Sequence, residues 1–132
     1  MRLTCSFTLA AMMVLAATAC SDPVAPTPDL VAGSYMATSF QAEGNDVLAA
    51  GGSLTLVLTA SGGVTGNLFV PASVGGPLNA DMAGTYGITG SNITFDQDAD
   101  TFVRDATWTW SSGVLTGSFG PTASGVTVQM ER

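Results

Sequence analysis

Between residues 53 and 59 the chain reads Ser-Leu-Thr-Leu-Val-Leu-Thr, with Leu54, Leu56 and Leu58 on one parity and Ser53, Thr55 and Thr59 on the other. An apolar residue at every second position can bury a single face only if the backbone is extended, because successive strand side chains point to opposite sides. A helix would put Leu56 on the side opposite Leu54 and Leu58. Ser61-Gly62-Gly63 follows at once, a tight-turn sequence in which glycine supplies left-handed backbone. The chain then returns through residues 64–70, with Val64, Leu68 and Val70 on one face. This is the strongest hairpin signal in the sequence.

The same alternation recurs downstream. Residues 82–89 place Met82, Tyr86 and Ile88 together, and Gly90-Ser91 turns them into residues 92–95, where Ile93 and Phe95 share a face. Residues 101–110 carry Phe102, Ala106, Trp108 and Trp110 on one parity, with Arg104 among them. Ser111-Ser112-Gly113 turns into residues 114–119, with Leu115 and Phe119 inward, and residues 126–132 close the chain through Val126, Val128 and Met130. Residues 33–40 form the first strand, whose inward face is open because Tyr35 and Met36 have opposite parity. One helical turn is allowed over residues 46–50, where glycines limit it. The octets 31–38 (VAGSYMAT) and 82–89 (MAGTYGIT) are similar, either as the trace of a duplication or as two strand starts with glycine at a close backbone approach. Turn signals roughly every 8–12 residues predict an all-β domain. Eight sequential strands predict an antiparallel up-and-down β-barrel, whose closure removes exposed strand edges; a β-sandwich is the alternative.

The N-terminus is of a different kind. Met1-Arg2 precedes an apolar run over residues 7–19, too short to span a bilayer, which takes about 20 apolar residues. A basic start, a short apolar core and small residues at its end describe a signal peptide over residues 1–19. Ala17-Thr18-Ala19-Cys20 resembles the lipobox of bacterial lipoproteins, departing from it at Ala17, where leucine is usual. The resemblance implies a thioether-linked diacylglyceryl (palmitate-type) anchor on Cys20 and cleavage before it. Two acyl chains hold a protein on a membrane where one is marginal. Ser21 at the next position resembles the enterobacterial pattern that implies the outer membrane. Three prolines in residues 21–29 predict an extended tether over residues 20–29, rising about 3.1 Å per residue, ahead of a domain over residues 30–132. On that reading Cys5 falls in the signal and Cys20 carries the lipid, which leaves no disulfide and no thiol for chemistry; the alternative is an ordinary signal-peptidase cut after Ala19, which leaves Cys20 a free thiol.

Lysine and histidine are absent, and ten acidic residues face three arginines, one of them in the signal. So acidic a chain is unsuited to nucleic acid, where basic side chains must replace counterions, and to electrostatic adhesion to anionic lipid. Without histidine or lysine there is no ordinary general base at neutral pH, and Ser–His and Cys–His nucleophiles are excluded. The expectation is a protein that is no enzyme and needs no cofactor. Asp96, Asp98 and Asp100 form the one weak metal candidate, since calcium takes six to eight oxygens. A helix-flanked calcium loop would require glycine and glutamate where Thr101 and Thr107 stand, and the plainer reading is a solvated turn.

Taken together, Gly33-Ser34-Tyr35, residues 52–59 with their glycine turn, Gly84-Thr85-Tyr86 with its short hairpin, and a last strand ending at Arg132 resemble bacterial lipocalin-like domains of the calycin type. Tyr35 stands where that family commonly has tryptophan. The resemblance implies that Arg132 packs over Tyr35 as a cation–π pair closing the barrel bottom; the alternative is a solvated terminal arginine. It also implies a ligand-binding barrel. Arg104 is then a candidate grip for the carboxylate or phosphate of an amphipathic ligand, with Phe102, Trp108 and Trp110 as its wall. The alternative pairs Arg104 with Asp100 or Asp105 at the rim and packs the tryptophans into the core. Two longer segments, 41–52 and 71–80, are candidate mouth loops. The expectation is therefore a monomeric, lipid-anchored envelope protein whose barrel binds a small apolar ligand. The rival is a structural or interaction protein with a filled barrel and no ligand.

Overall fold

The computed structural model describes residues 25–121 and 125–132; the segment expected to be a signal peptide, Cys20 and the start of the expected tether lie outside them. In chain order come α1 (Pro28–Val31), β1 (Gly33–Ala42), β2 (Asn45–Asp46), β3 (Ser53–Leu58), β4 (Gly63–Val70), β5 (Leu78–Thr89), β6 (Asn92–Gln97), α2 (Phe102–Asp105), β7 (Thr107–Ser111), β8 (Val114–Phe119) and β9 (Val126–Glu131). Each strand from β3 onward pairs antiparallel with the next, and β9 returns to pair with β1. Eight strands thus close an up-and-down barrel, with β2 a two-residue addition to the end of β1.

Alternation places the core. Leu54, Leu56, Leu58, Val64, Leu68, Met82, Ile93, Phe95, Leu115, Val128 and Met130 are all buried inside the ring. Tyr35 points in and Met36, 65% exposed, points out. The parity of β1 then changes, because the register with β9 shifts between Ala37 and Ser39. The extra residue, Thr38, turns outward and lets Ala37 and Phe40 both face the core, as a β-bulge does.

Two expectations are corrected and a third holds. Residues 101–106 are no strand: Ala106 N–H donates to the Phe102 carbonyl at 2.7 Å and Arg104 N–H to Thr101 at 3.2 Å, a single helical turn. Phe102, Val103 and Ala106 are apolar at helical spacing as well as partly at strand spacing, and the turn buries Val103 in the barrel mouth. Phe119 is 44% exposed, because the last residue of β8 passes the rim. Residues 46–50 do form a turn, in which Asp46 accepts both Ala50 N–H at its carbonyl and Ala49 N–H at Oδ1.

The two ends differ. At one, the tight turns β3–β4, β5–β6 and β7–β8 meet α1 and Arg132. Thr27 caps α1, and Pro26 is buried, so the proline segment already packs on the barrel before residue 30. At the other end stand the longer connections: 43–52, 71–77, 98–106 with α2, and the one between β8 and β9.

Candidate functional site

At the tight end the side chains form a closed plug. The Tyr35 hydroxyl donates to the Val31 carbonyl at 2.5 Å and accepts the Trp110 indole N–H at 3.0 Å. All three residues are buried. Arg132 closes the same end from outside, its Nη1 donating to the carbonyls of Leu30 at 2.6 Å and Ala32 at 3.0 Å. Its aliphatic stem lies where a Cβ on Gly33 would be. The guanidinium is thus engaged by backbone oxygens of α1 and of its C-cap, and the polar end of Tyr35 by Val31 and Trp110. Beside this plug, residues 25–28 and the turns at Gly62 and Gly90 border an open groove of about 460 Å³ over Tyr86 and Ile88. Tyr86 donates its hydroxyl to the Thr59 carbonyl at 2.6 Å. Partial burial, and secondarily the nearby Tyr35 and Asp29, raise its pKa above the ordinary value.

At the open end the expected ligand wall is occupied. Trp108 is fully buried. It packs edge-on to Phe95 with centroids 5.6 Å apart and an interplanar angle of 84°, and its Nε1–H donates to the Val103 carbonyl at 2.9 Å. Its indole lies flat over Gly117, where a Cβ would come within 2.7 Å of the ring. Phe102 leans on Phe40, centroids 5.5 Å apart. Trp110 belongs to the other end, so Phe102, Trp108 and Trp110 do not line one wall.

Arg104 stands on α2 with its side chain partly in solvent. It reaches Asp100 Oδ1 at 2.6 Å and Asp105 Oδ1 at 3.2 Å. The hydrogen bond and charge of Asp105, followed by the charge of Asp100, raise its pKa further. Asp96 lies on the outward face of β6, Asp98 beside Ala83, and Asp100 on Arg104. Among the described residues, no three acidic, histidine or cysteine side chains converge as metal ligands do. Cys20 lies outside the described residues.

One residue had no place in the sequence reading. Gln97, 4% exposed, ends the inward series Ile93, Phe95, Gln97. Among the described residues, neither its Nε2 nor its Oε1 has a hydrogen-bond partner. Continuing the parity of β6 by one step would have found it as a polar side chain aimed into the barrel beneath α2. Compared with known proteins, the chain matches no family model, no curated protein and no solved structure.

Proposed function

We propose that the protein is a lipid-anchored envelope protein whose barrel is a solid scaffold, presenting its outer wall and open-end loops to another component of the envelope. The observation that carries this reading is the packing of Trp108. A ligand-binding barrel of eight strands has room for one small molecule or for its own side chains, and here the indole, Phe95, Val103 and the close approach of Gly117 take up the space where the aromatic wall of a pocket would stand. The anchor rests on the sequence: the short apolar leader and Ala17-Thr18-Ala19-Cys20 supply the signal, and the stretch between Cys20 and the packed Pro26 supplies the spacer. The absence of histidine and lysine supports a role without acid–base chemistry.

A second reading is favoured by Gln97 alone. A buried carboxamide with both ends unpaired is costly, and a neutral polar group entering beneath α2 would satisfy it. Native mass spectrometry of the full chain recovered from a bacterial membrane separates the two. The scaffold reading expects the mass of the acylated protein alone; a small molecule retained through extraction would overturn it. The anchor has its own test. Cys20→Ser should move the protein from the membrane fraction to the soluble one, and unchanged membrane retention would refute lipidation at that position.

A further inference from the structure

The open rim of the barrel is uneven. β5 runs 12 residues, yet β6 pairs with it only from Gly84 to Thr89, so the part of β5 before Gly84 overhangs its neighbour. Which backbone groups face the overhang is fixed by bonds elsewhere on the strand. Tyr86 N–H donates to the Gly62 carbonyl, on the β4 side, at 2.9 Å. Even-numbered residues of β5 therefore turn their N–H and C=O to β4, and odd-numbered ones to the opposite edge, as an antiparallel ladder requires. On that edge the Ala83 carbonyl accepts Asp98 N–H at 3.4 Å. Asn79 and Asp81, the next odd residues, face no neighbouring strand among the described residues. The comparable overhang of β1 is covered, because Val47 N–H donates to the Phe40 carbonyl at 2.9 Å and β2 pairs with Gln41 and Ala42. The β5 edge is left open, beside exposed Asp81, Asp96 and Asp98. The nearby cation, Arg104, is already held by Asp100 and Asp105.

We propose that the β5 edge from Asn79 to Ala83 is a strand-docking site for an extended, basic segment of a partner protein. An unpaired edge offers main-chain hydrogen bonds to any extended chain. The acidic flank selects cationic side chains and repels a second copy, whose edge carries the same carboxylates. The inference rests on the reading of the barrel as an interaction scaffold and names the surface and chemistry of the interaction.

The test uses the full chain and a fluorescent peptide of alternating lysine and valine. Its affinity is compared with that of the same peptide N-methylated on alternate amides, and of a glutamate–valine counterpart. Binding of the lysine peptide should weaken as salt is raised. N-methylation should weaken it about tenfold, as the loss of one or two backbone hydrogen bonds does, and amide shifts should centre on Asn79, Asp81 and Ala83. Asn79→Pro, which removes an edge N–H at a position where a rim strand tolerates proline, should weaken it to a similar extent. The N-methylated peptide makes the same test on the unaltered protein. Equal affinity for the N-methylated or the glutamate peptide, or no binding at all, overturns the docking site. That failure is distinct from failure of the scaffold reading, which is sunk by a molecule retained inside the barrel.

Discussion

Trp110 donates its indole N–H to the hydroxyl of Tyr35, 75 residues earlier in the chain, and that hydroxyl in turn donates a hydrogen bond to the Val31 carbonyl. One buried oxygen thus joins β7, β1 and α1. Tyr35→Phe would keep the ring and remove the oxygen, leaving the Trp110 N–H and the Val31 carbonyl unpaired in a buried site. Orphaning a buried group costs about 1–3 kcal/mol, so the variant should lose roughly 2–3 kcal/mol in urea unfolding. Tyr35→Phe combined with Trp110→Phe should lose less than the sum of the single changes, because the second change removes a donor the first had already orphaned. Strict additivity would show that the two residues are not coupled.

Arg132 holds the same end from outside. Its bonds to the Leu30 and Ala32 carbonyls are charge-assisted but solvent-exposed, so they are worth less than buried ones. Arg132→Ala should cost about 1 kcal/mol globally and raise hydrogen exchange chiefly from Val31 to Tyr35. Exchange rising evenly around the barrel would refute a local clasp.

Gly117 is fixed by the ring that covers it. Gly117→Ala would drive a methyl group into the Trp108 indole. Because Trp108 is also held by Phe95 and by the Val103 carbonyl, it has little freedom to retreat. Overpacking of this kind costs about 1–3 kcal/mol. The variant should be destabilised by that amount, with a red-shifted tryptophan emission as the indole is pushed toward the mouth. Unchanged stability would mean that slack remains around Trp108.

The strands were legible because a closed antiparallel wall has one dry face and one wet one, which writes period two directly into Leu54-Leu56-Leu58 and Ile93-Phe95. Legibility ended where the chain left the ladder. Phe102, Arg104, Ala106 and Trp108 alternate as a strand would, but Phe102, Val103 and Ala106 fit a helical turn equally well, and tertiary burial of Val103 chose the turn. That choice places Arg104 in the rim pairing with Asp100 and Asp105 that stood as the alternative to an interior grip. The bulge at Thr38 is invisible to a parity count for the same reason: it is set by the register against β9. The open edge of β5 depends on the lengths of two strands at once, and no single segment records that.

Gln97 offers a test of how finished the core is. Its carboxamide is buried and unpaired at both ends. Gln97→Met keeps nearly the same length and flexibility while removing the polar atoms. If the site is dry, the variant should gain about 1–2 kcal/mol in chemical unfolding, since replacing an unsatisfied group recovers part of its desolvation cost. A loss of stability would mean that an internal water or a bound polar group pairs with the amide in solution.

Tyr86 links stability to alkaline pH. Its folded pKa lies above the ordinary value, through burial first and the neighbouring Tyr35 and Asp29 second, so the folded state holds its proton at pH values where the unfolded state has released it. The sign follows: the contribution is complete below the unfolded value of about 10 and disappears as pH climbs through the folded value. With no histidine in the chain, unfolding midpoints should vary little between roughly pH 6 and 9 and then fall above about pH 10. Tyr86→Phe should be less stable at neutral pH by about 1 kcal/mol, for the lost bond to the Thr59 carbonyl, and should show a shallower alkaline fall. Thermal midpoints of the two proteins measured across that range decide the matter, and an equally steep alkaline fall in Tyr86→Phe would place the linkage on another group.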